Sequence, residues 1–503
     1  MGSDWKSYTL ESLASTDKSS MSTGPFGSAI SSKYFQEAGV PVIRGGNLSA
    51  NTSERMSDDG LVFISEEKAG EFKRSTVKSG DLIFTCWGTI NQVGLISNDL
   101  KYTDYVISNK QMKITLDKSK ADPLFLYYMF SGPLKQAEIL RNAIGAAVPG
   151  FNLGQLKEHL VVLPSLLEQK KISKFINGFD KKIELNRQTN QTLEQMAQTL
   201  FKSWFVDFDP VFDNLLAKVD FKLENLASDF PVELLKKAQQ RLHALQERVL
   251  QQRTSLPKGN KDAALLESSE LHALLAGSQN NNHSHFPCEF EFSEPLGWIP
   301  KGWALSNVGC ISDKVFSGGT PNTRIPEYWG GDLKWFSSGE TRNNLIIDTE
   351  KRITAEGVAN SSTKLSIPGD IFIAGAGQGH TRGQTSLNTV ETYFNQSVVC
   401  IRVNDKRYSN WLFENLFARY EEMRGLSDSH SIRGSLTTKL VSGMKVLLPS
   451  NELICVFDEY AKNLFVKNKL LLEEISTLTK LRDTLLPKLI SGELQIPDVK
   501  ASL

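Results

Sequence analysis

The chain has 503 residues, with 57 Lys and Arg against 57 Asp and Glu and 40% hydrophobic residues, which is ordinary for folded globular protein and leaves room for about three domains. No run approaches the ~18 uninterrupted apolar residues of a membrane span, and the polar start Met1–Thr9 lacks the charged-then-apolar pattern of a secretory leader. Zero net charge neither announces nor excludes a nucleic-acid partner, because phosphate contact needs local basic groups and not an overall excess.

The five cysteines (Cys86, Cys288, Cys310, Cys400, Cys455) are scattered, odd in number and without a C-x-x-C pair. That argues against a disulfide framework or zinc site and for the reducing cytoplasm.

From the N-terminus, residues 1–163 are rich in Gly, Ser, Thr and Asn, with short apolar runs such as Tyr105-Val106-Ile107 and a helical patch at Pro123–Phe130. They read as a mixed α/β domain of short strands and loops. After Pro164 the pattern changes period. Apolar residues fall at Ile172, Ile176, Phe179 and Ile183, then Leu193, Ala197, Leu200 and Trp204, with Asn186 and Asn190 on the same seam. Alternating steps of four and three over several heptads predict a long helix at 164–206, paired as in a coiled coil. A seam Asn fits a device that fixes register, or the edge of an imperfect stripe.

Residues 207–296 do not repeat. Asp229, Pro231 and Glu233 open an amphipathic helix carrying Leu234, Leu235, Leu242, Leu245 and Val249, which ends near Pro257-Lys258-Gly259. A second short helix is expected over Ala263–Leu275, then a flexible linker from Ser278 to His285. Lys236, Lys237, Arg241, Arg248 and Arg253 make the long insert helix basic on its polar side, which reads as a solvated face or a surface for DNA or a protein partner. His283 and His285 lack the further ligands a metal site requires.

Residues 297–448 resume the mixed pattern, with the run Val398–Ile401 and a helical patch at Asn410–Arg424. A second long helix is expected at 449–494, with Phe457, Ala461, Leu464, Asn468, Leu471, Ile475, Leu478, Arg482, Leu485 and Leu489 on its seam, followed by a tail at 495–503.

These parts repeat. Leu163-Pro164-Ser165 returns as Leu448-Pro449-Ser450, Gly80-Asp81-Leu82-Ile83-Phe84 as Gly369-Asp370-Ile371-Phe372-Ile373, and Trp5, Leu10, Leu13 as Trp303, Val308, Ile311. Order persists while the offset drifts, as loop insertions produce. The fold class is therefore α+β: two mixed α/β domains separated by two long antiparallel helices in one intramolecular coiled coil.

Catalytic signatures are missing. There is no G-x-x-x-x-G-K-[ST] phosphate loop, no H-E-x-x-H and no N/D-P-P-F/Y stretch of an amino-methyltransferase. Gly375-Ala376-Gly377-Gln378-Gly379-His380 lacks the third glycine and the acidic residue of a dinucleotide loop. A binding or scaffolding role follows. The alternatives are a stand-alone DNA methyltransferase or nuclease, and a helical adaptor that binds protein and not DNA.

The closing segment Leu481-Arg482-Asp483-Thr484-Leu485-Leu486-Pro487-Lys488-Leu489-Ile490-Ser491-Gly492-Glu493-Leu494 resembles the C-terminal signature of type I restriction–modification specificity subunits. Leu200 to Pro210 resembles the end of that family's central helix. Phe286-Pro287, with Gly297-Trp298-Ile299-Pro300-Lys301-Gly302-Trp303, resembles the entry to its second target-recognition domain. The stretch 214–280 is longer than usual in the family. The resemblance implies two target-recognition domains, each reading half of a bipartite, asymmetric double-stranded DNA site. It also implies no catalysis in this chain, and partners that are two methyltransferase subunits using S-adenosylmethionine and two ATP- and Mg-dependent translocase–nuclease subunits.

Base readout needs Arg, Asn, Gln, Ser or Thr on loops that enter a groove. In the first domain the candidates are Arg44 and Asn47 in one loop and Trp87, Thr89, Asn91 and Gln92 in the loop after the shared Gly-Asp strand. In the second they are Ser338, Glu340 and Arg342, then Gln378, His380 and Arg382. Glu340 has the chemistry to accept from a cytosine amino group.

Overall fold

The computed structural model describes residues 5–49, 52, 54–145, 149–255, 268–277, 282–377, 380–430 and 434–497. It forms two compact units, one of Met1–Arg187 with Glu474–Leu503 and one of Gln188–Glu473.

In the first unit, Lys6–Thr9 pairs antiparallel with Leu160–Leu163, so the outermost strands of the globular part lie side by side. Between them are two four-stranded sheets. One has the order Met21–Thr23, Gln111–Ile114, Leu82–Thr85, Val93–Leu95, and the other Val62–Ile64, Val40–Ile43, Tyr105–Ile107, Thr76–Val77. Leu82–Phe84 reads as an unbroken apolar run because both faces are covered. Leu82 and Phe84 join a core with Phe125 and Tyr128, while Ile83 points the other way, into a core with Ile43, Tyr105 and Ile107. The helix Pro123–Ser131 starts where Asp122 accepts from the Phe125 N–H at 3.1 Å, with proline in its first turn.

The second unit repeats this topology with one strand added to the first sheet, Leu345–Ile346. Ala304–Asn307 pairs with Lys445–Leu448. One sheet runs Ser312–Ser317, Val398–Val403, Ile371–Ala374, Thr385–Asn388, Leu345–Ile346, and the other Lys351–Ile353, Trp329–Phe336, Thr392–Phe394, Lys364–Ser366. Register repeats as well. Val42 stands between Val62 (antiparallel) and Val106 (parallel), as Trp335 stands between Lys351 and Tyr393.

The repeated Gly-Asp motif has a physical cause. Gly80 and Gly369 take φ of 96° and 97°, a turn that suits glycine. The following aspartate then caps the turn, Asp81 accepting from the Lys78 N–H at 3.0 Å and Asp370 from the Ile367 N–H at 2.9 Å. Its other oxygen is met from the adjacent strand, by Thr115 Oγ1 at 2.6 Å in the first unit and by Arg402 Nε at 2.9 Å in the second. Lys113 Nζ lies 3.9 Å from Asp81, yet burial is the larger effect on both groups. It pushes the acid up and the amine down.

The long helices span Leu166–Phe205 and Asn451–Ile490, 40 residues each. In the first unit Ile172 and Ile176 share a core with Leu486 and Leu489. In the second, Ala197, Phe201, Trp204 and Phe205 pack with Leu453, Ile454, Phe457 and Ala461. The early part of one helix thus meets the late part of the other in one unit and the reverse holds in the other unit, so the pairing is antiparallel. Of the predicted seam, Ile172, Ile176, Ile183 and Leu471 are buried. Phe179, Leu193, Leu200, Leu464, Ile475, Leu478 and Leu485 are half-buried. Phe201, Phe205 and Leu486 lie deeper than the heptad count implies, because globular side chains add a third wall. Among the seam amides, Asn186 donates to Glu474 at 2.9 Å and Asn468 to Glu194 at 3.1 Å.

The insert is a helical layer of the second unit: Asp209–Lys218, Val232–Ser255 and Ser268–Gly277 around Phe212, Leu216, Leu234, Ala238, Leu245 and Val249. The expected helix end near Pro257 and residues 263–267 lie outside the described residues. Two expectations are corrected. His283 belongs to a buried polar cluster and not a loose linker: its Nε2 lies 3.1 Å from Asp213, which also takes a two-pronged bond from Arg241 at 2.7 and 2.8 Å. Arg241 and Arg253 are committed to carboxylates, Arg253 to Glu270, leaving Lys236, Lys237 and Arg248 as the exposed basic groups. Among the described residues no helix is long and apolar enough to cross a membrane.

Candidate nucleic-acid interface

The strand Val40–Ile43 ends in a tight helical turn, Gly45–Asn47, capped from both sides. Asn47 Oδ1 accepts from the Arg44 N–H at 3.0 Å, and its amide donates to Ser57 O and Asp59 O at 3.2 and 2.9 Å. At 3% exposure, Asn47 has its hydrogen-bonding capacity spent on backbone, so it shapes the loop and is not placed to touch DNA. Glu340 holds the equivalent place after Trp329–Phe336. It too is 3% exposed, and it accepts from the Ser337 N–H at 2.9 Å and the Glu350 N–H at 2.8 Å. The Glu340 carboxylate is thus engaged with backbone.

Four of the first-domain candidates come together. Arg44, Trp87, Thr89 and Gln92 line one open cavity of about 590 Å³. Arg44 is exposed, donating to Gly60 O at 2.7 Å and resting over the Phe35 ring. The loop after Leu82–Thr85 turns at Gly88, whose φ is 90°, and is pinned by Phe151 N–H to Cys86 O at 2.8 Å and Gly88 N–H to Pro149 O at 3.1 Å. This holds the Trp87 indole, 47% exposed, against Gly150, where a Cβ would stand only 2.4 Å from the ring. Gln92 donates to Leu48 O at 3.0 Å, tying the two loops together. Asn91 instead lines a separate cavity of about 130 Å³ with Ser49, Thr52 and Gln136, apart from the other four.

Thr85, Lys110 and Gln111 are among the lining residues that the sequence reading missed. Thr85 lies opposite Gln111 across the sheet, and Lys110 stands in the turn before that strand. The buried Gln111 amide, oriented to satisfy both its ends, donates to Ile43 O and accepts from the Gly45 N–H, each at 3.2 Å. Only the strand pairing reveals these neighbours. None of the residues lining the cavity is acidic, and among the described residues neither Arg44 nor Lys110 forms an ion pair. The thiol of Cys86 beside this loop is pushed up to about 12 by burial, which leaves it inert as a nucleophile.

In the second domain the candidates are less available. Ser338 is half-buried, its carbonyl accepting from Thr341 Oγ1 at 2.7 Å. Arg342 is exposed and paired with Glu350. His380 is exposed, its carbonyl accepting from Tyr420 OH at 2.8 Å. Arg382, 13% exposed, is turned inward onto Gly434 O at 3.0 Å and Asp428. Gln378 lies outside the described residues. Among the described residues no cluster of three metal-ligating side chains occurs.

The arrangement suits binding: concave, cation-rimmed and without an acid–base pair or nucleophile. Comparison with known proteins agrees. The chain is similar to the HindI type I specificity subunit of Haemophilus influenzae, 26% identical across 98% of this chain and 100% of that one. It is similar to the MjaIX specificity subunit of Methanocaldococcus jannaschii at 22% identity, covering 90% and 88%. Its fold matches the crystal structure of the type I S subunit of M. genitalium with a TM-score of 0.53 at 14% identity, over 99% of this chain and 97% of the other. The family model described as the type I restriction modification DNA specificity domain matches residues 2–195 and 300–452, one stretch for each copy of the repeat, and the chain belongs to that family.

Proposed function

We propose that this specificity subunit reads a bipartite, asymmetric DNA site, with residues 1–163 reading one half and 297–448 the other. The carrying observation is that one sheet framework, repeated in order and register, bears loops of different content at equivalent places. Equivalent frames with unequal readers recognise unequal half-sites. Candidate contacts are Arg44, Trp87, Thr89 and Gln92 in the first domain, and Ser338, Arg342 and His380 in the second. Methylation of adenine and cleavage fall to partner subunits, which bring S-adenosylmethionine, ATP and Mg. The paired helices Leu166–Phe205 and Asn451–Ile490 are the framework on which two methyltransferase and two translocase–nuclease subunits assemble.

Methylation mapping tests the reading. Genomic DNA from a host carrying this chain and its methyltransferase partner is expected to show methyladenine in a two-part motif with a fixed unread gap, lost when the chain is removed. A contiguous motif, or methylation that persists without the chain, overturns it.

A further inference from the structure

We propose, resting on the DNA-recognition reading above, that the first-domain cavity receives a single nucleobase unstacked from the duplex, and that the second domain has no equivalent receptor. The key observation is Thr85. It is 3% exposed and lines the cavity, and its hydroxyl has no hydrogen-bond partner among the described residues. A buried hydroxyl left unpaired is costly, and a ligand that pairs with it recovers that cost. Beside it stand the half-exposed indole of Trp87 and the Oε1 of Gln92, which accepts no hydrogen bond among the described residues. Arg44 and Lys110 supply positive charge at exposed positions, with no acid in the lining.

A ligand matching all of this is planar, edged with hydrogen-bonding groups and attached to phosphate. A stacked base pair offers only its edge along a groove floor and cannot enter a concavity. A base that leaves the stack can stack instead on an aromatic side chain and be read along its edge. The volume of about 590 Å³ is that of an ordinary small-ligand site.

The second domain shows that the framework does not demand this lining. Strand register places Ala374 at the position of Thr85, Ala376 at Trp87, Val398 at Gln111, Ser337 at Arg44 and Ser397 at Lys110. Hydroxyl, indole and both cations are lost, while Gln384 stands at the position of Gln92 with its Oε1 taken up by Thr341 Oγ1 at 3.2 Å. Unstacking into the specificity chain is therefore expected in one half-site only.

The experiment uses the full chain with its methyltransferase partner and duplexes of the mapped site. At each position in turn the complementary base is changed to make a mismatch, which lowers the cost of extracting the base that remains. Apart from the methylated adenines, which the methyltransferase partner itself draws out of the stack, a mismatch is expected to tighten binding about tenfold at one position of the first half-site and at none in the second. Trp87→Ala is expected to abolish that gain. Thr85→Val, which removes a hydroxyl bonded to nothing among the described residues, is expected to leave unfolding unchanged and weaken binding to the matched site about tenfold. If the wild-type complex binds its site specifically but every mismatch away from the methylated adenines weakens binding in both half-sites, the unstacked base is overturned whatever Thr85→Val does. If the complex binds no sequence specifically, the DNA-recognition reading itself falls.

Discussion

Arg482 Nη1 donates to Asp180 Oδ1 at 3.0 Å, joining the two long helices by an ion pair whose side chains are each only 4% exposed. Asp180 also accepts from Tyr128 OH, and Arg482 reaches Asp483, so the pair sits in a network that includes the first globular domain. Burial is the largest influence on the Tyr128 phenol and pushes it upward, keeping it a donor. Removing one partner strands the other charge in a low-dielectric seam. Arg482→Met is expected to cost about 3–5 kcal/mol, while the double variant Asp180→Leu/Arg482→Met recovers most of that loss. Thermal unfolding of the full chain measures both. Equal losses in the single and double variants would show that the seam depends on the charges themselves.

Glu414 makes stability depend on pH in the second unit. Burial, then the nearby Glu194 carboxylate, pushes its carboxyl up to about 8. Glu194 itself accepts from Asn344 at 2.7 Å and Asn468 at 3.1 Å. In the unfolded chain Glu414 ionises in the usual carboxylate range, so folding binds a proton at neutral pH. The resulting penalty is absent below about pH 4.5, grows as pH rises, and is complete above the folded value near 8. Glu414→Gln is therefore expected to melt higher than the parent at pH 8.5, by an amount worth a few kcal/mol, with the gap closing toward pH 5. A gap independent of pH would remove Glu414 from this role.

The seam predicts unequal costs for the same substitution on one helix. Leu193 is half-buried on the paired face, whereas Leu185 is 57% exposed. Leu193→Asp is expected to lose about 2–3 kcal/mol and Leu185→Asp no more than about 0.5 kcal/mol. Denaturant unfolding of both variants separates them, and equal losses would disprove the assigned face.

Much of this architecture is legible before any coordinates. The heptad spacing announces both helices because a buried stripe needs apolar residues at steps of three and four. The Gly-Asp motif survives in both halves because a positive φ and a capping carboxylate cannot easily be replaced. The site is less legible for a reason visible in Asn47, Glu340 and Arg382. Polar residues in glycine-flanked loops serve groove contact and loop closure equally well in composition, and these three close loops. Thr85 escapes for the opposite reason. It ends an apolar strand, and its importance depends on Gln111, which lies opposite it across the sheet.

Arg44 and Arg382 should therefore behave oppositely. Arg382→Ala releases Gly434 O and Asp428 and is expected to destabilise the second unit by about 1–3 kcal/mol, without relaxing preference at one base position. Arg44→Ala, at an exposed cavity rim, is expected to leave unfolding unchanged. It should weaken DNA binding and reduce the salt slope by about one unit if the guanidinium meets phosphate. Unfolding midpoints and salt titrations on the same two proteins decide the matter. Loss of specificity at one position in Arg382→Ala with full stability would reverse both assignments.

Exchange of a whole domain tests modularity most directly. Lys6–Thr9 and Leu160–Leu163 pair as adjacent strands, and Ala304–Asn307 pairs likewise with Lys445–Leu448. Each globular domain thus leaves and returns to the framework through one closed ribbon. The cores inside these ribbons, with Leu82, Phe84 and Phe125 in one and Ile371, Ile373 and Trp411 in the other, run on into the long helices, so the incoming segment must keep the side chains that meet them. Replacing residues 10–159 by the matching segment of a relative keeps the ribbon and both long helices. The recognised sequence is then expected to change in one half-site only, with the other half and the unread gap intact. Methylation mapping of the exchanged protein gives the answer. A change in both half-sites would mean that the domains read DNA jointly, and a change in gap length would mean that the helices do not set it.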